Sequence, residues 1–236
     1  MSLEPVLIAG QWRESEKTGT FQAANPATEE LFSAVYPISS WSDCEAALNS
    51  AHDAFLAMRV MPGEKIAIFL ESYAAKIEER AEALIEMAHL ETALPKTPRL
   101  AGAELPRTTA QLRQAAAAAR SGIWKNPVID TTNHIRSCFG PLGPVVVFGP
   151  NNFPFAFGSA SGGDFAAAIA AGNPVIAKAN SSHPGTTKLF AEAAHLAAME
   201  TGMPAGIVQM IYRTSHSIGQ QLVTDERVGA TGYTGS

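Results

Sequence analysis

From residue 145 onward, apolar positions fall in short strand-like runs divided by longer stretches of helical periodicity. Residues 145–148, 174–177, 206–211 and 228–233 form the runs. Val145–Phe148 is continuous and apolar, which suits a parallel strand covered on both faces. Residues 162–171 are small and apolar and predict a helix that packs close to a sheet. A second helix is predicted over 186–201, with Leu189, Ala193, Leu196 and Met199 near one face, and a third over 217–223. Gly172-Asn173 and Gly202-Met203-Pro204 end the first two. Strands alternating with helices of this length predict an α/β fold with a parallel, right-handed βαβ sheet.

The first half reads differently. Residues 6–40 are short strand-like pieces joined by turns such as Asn25-Pro26-Ala27-Thr28. Ser42 or Asp43 is placed to cap a helix reaching about residue 59. The clearest periodicity runs over 64–90, where Ile66, Phe69, Tyr73, Ile77, Leu84 and Ala88 recur near one face. Pro95 and Pro98 interrupt it. An alanine-rich helix then extends to about Arg120, with Pro106 kinking or restarting it. In residues 122–139, Ile123, Val128, Ile129 and Ile135 alternate loosely with polar residues, predicting extended strands. The chain thus divides into a helical and strand portion (1–121), an arm (122–142) and a βαβ sheet (143–236), with no internal repeat.

Composition narrows the function classes. The 236 residues are 46% hydrophobic and 17% charged, enough to build a substantial core. A formal charge of −5 without a basic stripe argues against nucleic-acid binding. No apolar run approaches the ~20 residues of a membrane helix, and the start lacks the basic and apolar regions of a secretory signal. Cys44 and Cys138 make neither a disulfide framework nor a metal site, so a reducing cytoplasm is the default compartment.

The candidate chemistry sits where the first parallel strand ends. Gly149-Pro150-Asn151-Asn152-Phe153-Pro154 follows that strand directly. Ligands of open α/β sheets bind beyond the carboxyl ends of the strands, so this turn presents an Asn carboxamide to a binding crevice. Such an amide can donate to a developing oxyanion. Lys178 occupies the tip of the second strand, where a solvated surface role is the competing reading.

This turn, continued through Phe155-Ala156-Phe157-Gly158 and joined by Lys178-Ala179-Asn180-Ser181-Ser182-His183-Pro184-Gly185, resembles the first half of an NAD(P)-dependent aldehyde dehydrogenase. The similarity is to the branch holding α-ketoglutarate semialdehyde (2,5-dioxopentanoate) dehydrogenases, and it runs from Ile8 to Ser236. The family usually has Trp where this chain has Asn151. The resemblance implies a Rossmann-type nucleotide-binding sheet truncated before the catalytic domain, with a β-arm over 122–142 that pairs with a partner subunit in a dimer or tetramer. It implies that Asn152 donates to the oxyanion of an aldehyde-derived thiohemiacetal. It implies further that Phe148, Gly149, Pro150, Asn151, Lys178, Ser181, Gly219, Gly235 and Ser236 line the cofactor site. Lys178 would reach ribose hydroxyls, and Gly235-Ser236 would open the phosphate-holding helix. Ser181 matches a position that often carries Glu in NAD-preferring relatives, so NADP is the expected cofactor and NAD the alternative.

The family's nucleophilic cysteine and basic glutamate have no matching motif here; the resemblance puts both beyond Ser236. The expected activity of the full-length enzyme is oxidation of 2,5-dioxopentanoate to 2-oxoglutarate. The alternatives are a long-chain aliphatic aldehyde dehydrogenase and a non-catalytic nucleotide-binding fragment. Cys44 is expected at a surface helix start and Cys138 in the arm, both as packing or surface thiols. His183 is a weak candidate for approaching a 2′-phosphate. Arg107 and Arg113 are possible cations for an acidic substrate, though helix arginines are usually solvated or salt-bridged.

Overall fold

A computed structural model of the chain describes residues 3–235. The chain opens with strands β1 (Val6–Ile8), β2 (Gln11–Arg13), β3 (Lys17–Phe21) and β4 (Tyr36–Ser39). Helices α1 (Trp41–Met58), α2 (Gly63–Glu79) and α3 (Ala81–Thr92) follow. A wide-turned segment, Lys96–Glu104, then leads into α4 (Leu105–Ser121). Strands β5 (Val128–Asp130) and β6 (Ile135–Ser137) form a separate antiparallel ribbon. The last part is β7 (Val145–Phe148), α5 (Gly163–Ala170), β8 (Val175–Lys178), α6 (Pro184–Glu200), β9 (Val208–Ile211), α7 (His216–Val223) and β10 (Ala230–Tyr233).

The main sheet runs β10-β7-β8-β9-β1-β2. The first four strands are parallel, while β1 and β2 extend the sheet antiparallel. Helices α5 and α6 pack over β7, β8 and β9, with α2, α3 and α4 outside them. Helix α7 contacts α1, which packs against β1, β8 and β9 from the other side. The chain therefore winds one way from β7 to β9 and then returns across the sheet to β10. That reversal puts a topological switch point between β7 and β10. The β7, β8 and β9 runs are almost wholly buried, as their uninterrupted apolar character predicts.

Three expectations change. Ser40, rather than Ser42 or Asp43, caps α1, its hydroxyl accepting from Asp43 N. Asp43 is fully buried and instead accepts from the Ser15 hydroxyl, Glu16 N and Arg13. The 64–90 helix is two helices. Arg80 leaves helical geometry at φ −112° and ψ 13°, so α2 packs on α4 while α3 turns against α6. All six apolar positions of that periodicity are buried. In α6 the expected face is only partly met: Ala193 is buried and Leu189 packs partly buried against the core, but Met199 is 57% exposed, and Phe190, Ala191, Ala194, Ala197 and Ala198 are buried as well. A helix held between a sheet and other helices buries a broad face, and alanine permits the close approach. Pro106 restarts rather than kinks, lying in the first turn of α4, where a missing N–H costs little.

The 122–142 segment is largely exposed, with Ile123, Val128, Ile129, Ile135, Phe139 and Leu142 all presented to solvent. Among the described residues no helix is long and apolar enough to cross a membrane.

Candidate functional site

A cavity of about 680 Å³ opens beyond the carboxyl ends of β7, β8 and β10. Phe148 to Phe153 line it from the β7 end, Lys178, Asn180 and Ser182 from the β8 end, and Tyr233 to Gly235 from the β10 end; Phe157 completes the wall. This is the switch-point crevice, where doubly wound sheets bind ligands. A similar depression of about 660 Å³ follows the outer face of α4, but its charged residues, Arg113 and Glu78, are already bonded to each other.

The turn carrying Asn152 is fixed from several directions. Asn180 Nδ2 donates to the Gly149 carbonyl at 3.0 Å. His183 Nε2–H donates to the Pro150 carbonyl at 2.9 Å. Arg99 Nη2 donates to the Asn152 carbonyl at 2.8 Å, and its guanidinium lies 3.9 Å from the Phe153 ring centroid. Glu104, 2% exposed, bonds Arg99 Nε at 2.9 Å and accepts from Phe155 N at 3.0 Å and Ala156 N at 3.3 Å. At Gly149 a Cβ would stand 2.7 Å from Ser159 N and 2.9 Å from Phe157 O, so the strand exit accepts only glycine without a shift.

These bonds leave the Asn152 carboxamide itself without a hydrogen-bond partner among the described residues, exposed at the cavity. The side chain that closes the turn is Asn180, not Asn152. An Asn kept only to satisfy its own turn would spend its amide there.

Lys178 ends β8, half-buried, and forms no ion pair among the described residues. Loss of hydration, with a smaller contribution from the Arg213 charge, pulls its ammonium below the usual lysine range. A partly desolvated cation facing a polar cavity is suited to hydroxyl or anionic ligand groups. Among the described residues, no carboxylate side chain lines the cavity, although Asp164 accepts from the hydroxyl of the lining residue Thr234 at 3.1 Å.

The structure brings together Asn152, Phe148, Gly149, Pro150, Asn151, Lys178 and Gly235. Ser181 and Gly219 stand outside the lining. Asn180 Oδ1 accepts from Ser182 N at 2.9 Å, and this local turn brings Ser182 to the wall in place of Ser181. Gly219 sits half-buried within α7, and Ser236 lies outside the described residues.

His183 is corrected. It is 1% exposed, burial holds its pKa below the usual imidazole value, and its role is to hold the Pro150 carbonyl rather than to meet a phosphate. Cys44 is not at the surface. It is fully buried, and desolvation, with the adjacent Asp43 charge, pushes its thiol up to about 12. Cys138 is exposed in the segment after β6. Asn180, Glu104 and Arg99 escaped the sequence reading. Asn180 had a signal, two residues beyond the strand-tip lysine; Glu104 and Arg99 act on residues about 50 positions away and had none.

The aldehyde dehydrogenase family profile matches residues 12–236. The chain belongs to the aldehyde dehydrogenase family. It is 41% identical to alpha-ketoglutaric semialdehyde dehydrogenase 2 of Azospirillum brasilense, over 100% of this chain and 46% of that protein. It is 35% identical to the alpha-ketoglutaric semialdehyde dehydrogenase of Acinetobacter baylyi, over 97% of this chain and 44% of the relative. The crystal structure of an NAD-dependent benzaldehyde dehydrogenase from Corynebacterium glutamicum superposes with a TM-score of 0.86 at 25% identity, covering 100% of this chain and 50% of that one. This aldehyde dehydrogenase chain thus spans about half the length of the relatives it matches.

Proposed function

We propose that the protein carrying this chain oxidises an aldehyde to a carboxylic acid with a nicotinamide dinucleotide bound in the switch-point cavity. The observation that carries the reading is the pairing of two uncommitted polar groups on one hollow: the Asn152 carboxamide and the Lys178 ammonium. The dinucleotide supplies the hydride acceptor. Lys178 binds ribose hydroxyls, and the Phe148–Pro150 backbone and Gly235 shape the wall. By resemblance, Ser181 and Gly219 are proposed to contact the nucleotide, and Ser236 to meet its phosphates.

Asn152 donates to the oxygen that gains charge when a nucleophile adds to the aldehyde carbon. One such donor contributes about 10²–10³ in kcat. The attacking thiolate and the water-activating carboxylate are assigned to the portion of the relatives that this chain does not span. By resemblance, Ser181 stands where NAD-preferring relatives often carry Glu, which supports NADP as the cofactor, with NAD as the alternative. The alpha-ketoglutaric semialdehyde dehydrogenase relatives support 2,5-dioxopentanoate as substrate and 2-oxoglutarate as product. The exposed apolar ribbon of β5 and β6 is proposed to pair with a second subunit.

Steady-state oxidation of 2,5-dioxopentanoate with NADP and with NAD, followed by the absorbance of the reduced nicotinamide, tests this. Turnover that falls at least a hundredfold, by the same principle, in the Asn152→Ala variant is expected. Tight nucleotide binding without turnover of any aldehyde would make the protein a binding module instead.

A further inference from the structure

The arginines near the site differ in what already satisfies them. Arg99 is held by Glu104 and by the Asn152 carbonyl. Arg113 is closed by a two-point pair with Glu78 at 2.7 and 2.8 Å. Arg107, in the first turn of α4, forms no ion pair among the described residues and is exposed. Its guanidinium carbon lies 4.7 Å from the centroid of the Phe157 ring. Phe157 packs edge-on against Phe153, 5.2 Å between centroids, and both rings line the cavity next to Asn152.

Resting on the proposed function, we propose that Arg107 is a specificity residue that receives the carboxylate at the far end of an acidic aldehyde. Stacking on Phe157 holds the guanidinium plane and strips water from one of its faces. Its N–H edges remain open for a forked bond to a carboxylate. The Phe153–Phe157 pair then links the cavity, where Asn152 stands, to Arg107, which contacts Phe157 from outside the lining residues. An aldehyde with an apolar middle and a terminal carboxylate matches that sequence of groups; an uncharged aldehyde leaves the cation unused. Arg107 touches the substrate tail and takes no part in bond making.

The test is kcat/KM on 2,5-dioxopentanoate and on pentanal for the whole protein and its Arg107→Gln and Arg107→Lys variants. Arg107→Gln should lower kcat/KM for the acid about 10–100-fold, the loss of one charged hydrogen-bonded pair, mainly through KM, with pentanal changed less than about twofold. Arg107→Lys should recover part of the loss, because it keeps the charge without the fork. Equal effects on both aldehydes, or none on either, would overturn the assignment while leaving aldehyde oxidation standing. No turnover of either aldehyde by the unsubstituted protein would remove both.

Discussion

Replacing Glu104 probes how the turn that carries Asn152 is held. In Glu104→Ala the Phe155 and Ala156 N–H groups, both buried, lose their acceptor. An unsatisfied buried donor costs about 1–3 kcal/mol. Arg99 is 31% exposed and can turn to water, so its lost ion pair is discounted to under about 1 kcal/mol. With partial relaxation, the expected total is about 2–4 kcal/mol. Glu104→Gln separates the two parts. Its carbonyl oxygen still accepts from both backbone groups, while its amide faces the Arg99 donor, so a cost near 1 kcal/mol is expected. Urea unfolding midpoints of the three proteins at one pH give the comparison, provided the urea slope is unchanged. Glu104→Ala falling within about 0.5 kcal/mol of the parent, the range of ordinary surface changes, would refute the anchoring role. So would Glu104→Gln costing as much as Glu104→Ala.

Two other consequences are checked in solution. Under native conditions at mild alkaline pH Cys138 should be labelled by a disulfide reagent, and Cys44 should be labelled only after unfolding, as read by peptide mapping, because burial keeps it protonated up to about 12; labelling of Cys44 in the folded protein would contradict the packing. His183 binds its proton less readily folded than unfolded, so its contribution is intact above its ordinary value of 6.5 and is lost as pH falls below it. The loss should run at up to about 1.4 kcal/mol per pH unit until the folded group protonates. The acid limb of a stability–pH curve should therefore flatten in His183→Gln, and an unchanged limb would show that His183 does not set it.

Strands β7 and β8 were legible because a strand buried on both faces is apolar along most of its length, whereas β10, half exposed, carries no such signal. Val145–Phe148 and Val175–Lys178 therefore announce themselves without alternation. Asn152 and Lys178 were legible for the same reason, since a strand's end fixes where the next side chain stands. What escaped was tertiary. The break at Arg80 interrupts no periodicity, because Leu84 and Ala88 remain in phase with Ile66 and Phe69. The buried face of α6 is built from alanines, whose small transfer energy gives a weak apolar signal. Glu104 looks like a polar interruption in a Pro- and Gly-rich stretch until Phe155 and Ala156 fold onto it.

The most direct measurement is a fluorescence titration of the whole protein with NADPH, run beside turnover, for the parent, Lys178→Ala and Asn152→Ala. A shared nucleotide and oxyanion hollow predicts that Lys178→Ala weakens nucleotide binding about tenfold or more, the worth of a charged hydrogen bond. It also predicts that Asn152→Ala binds NADPH as the parent does yet turns over about 10²–10³ more slowly. Parent-like NADPH affinity in Lys178→Ala, together with parent-like turnover in Asn152→Ala, would contradict it.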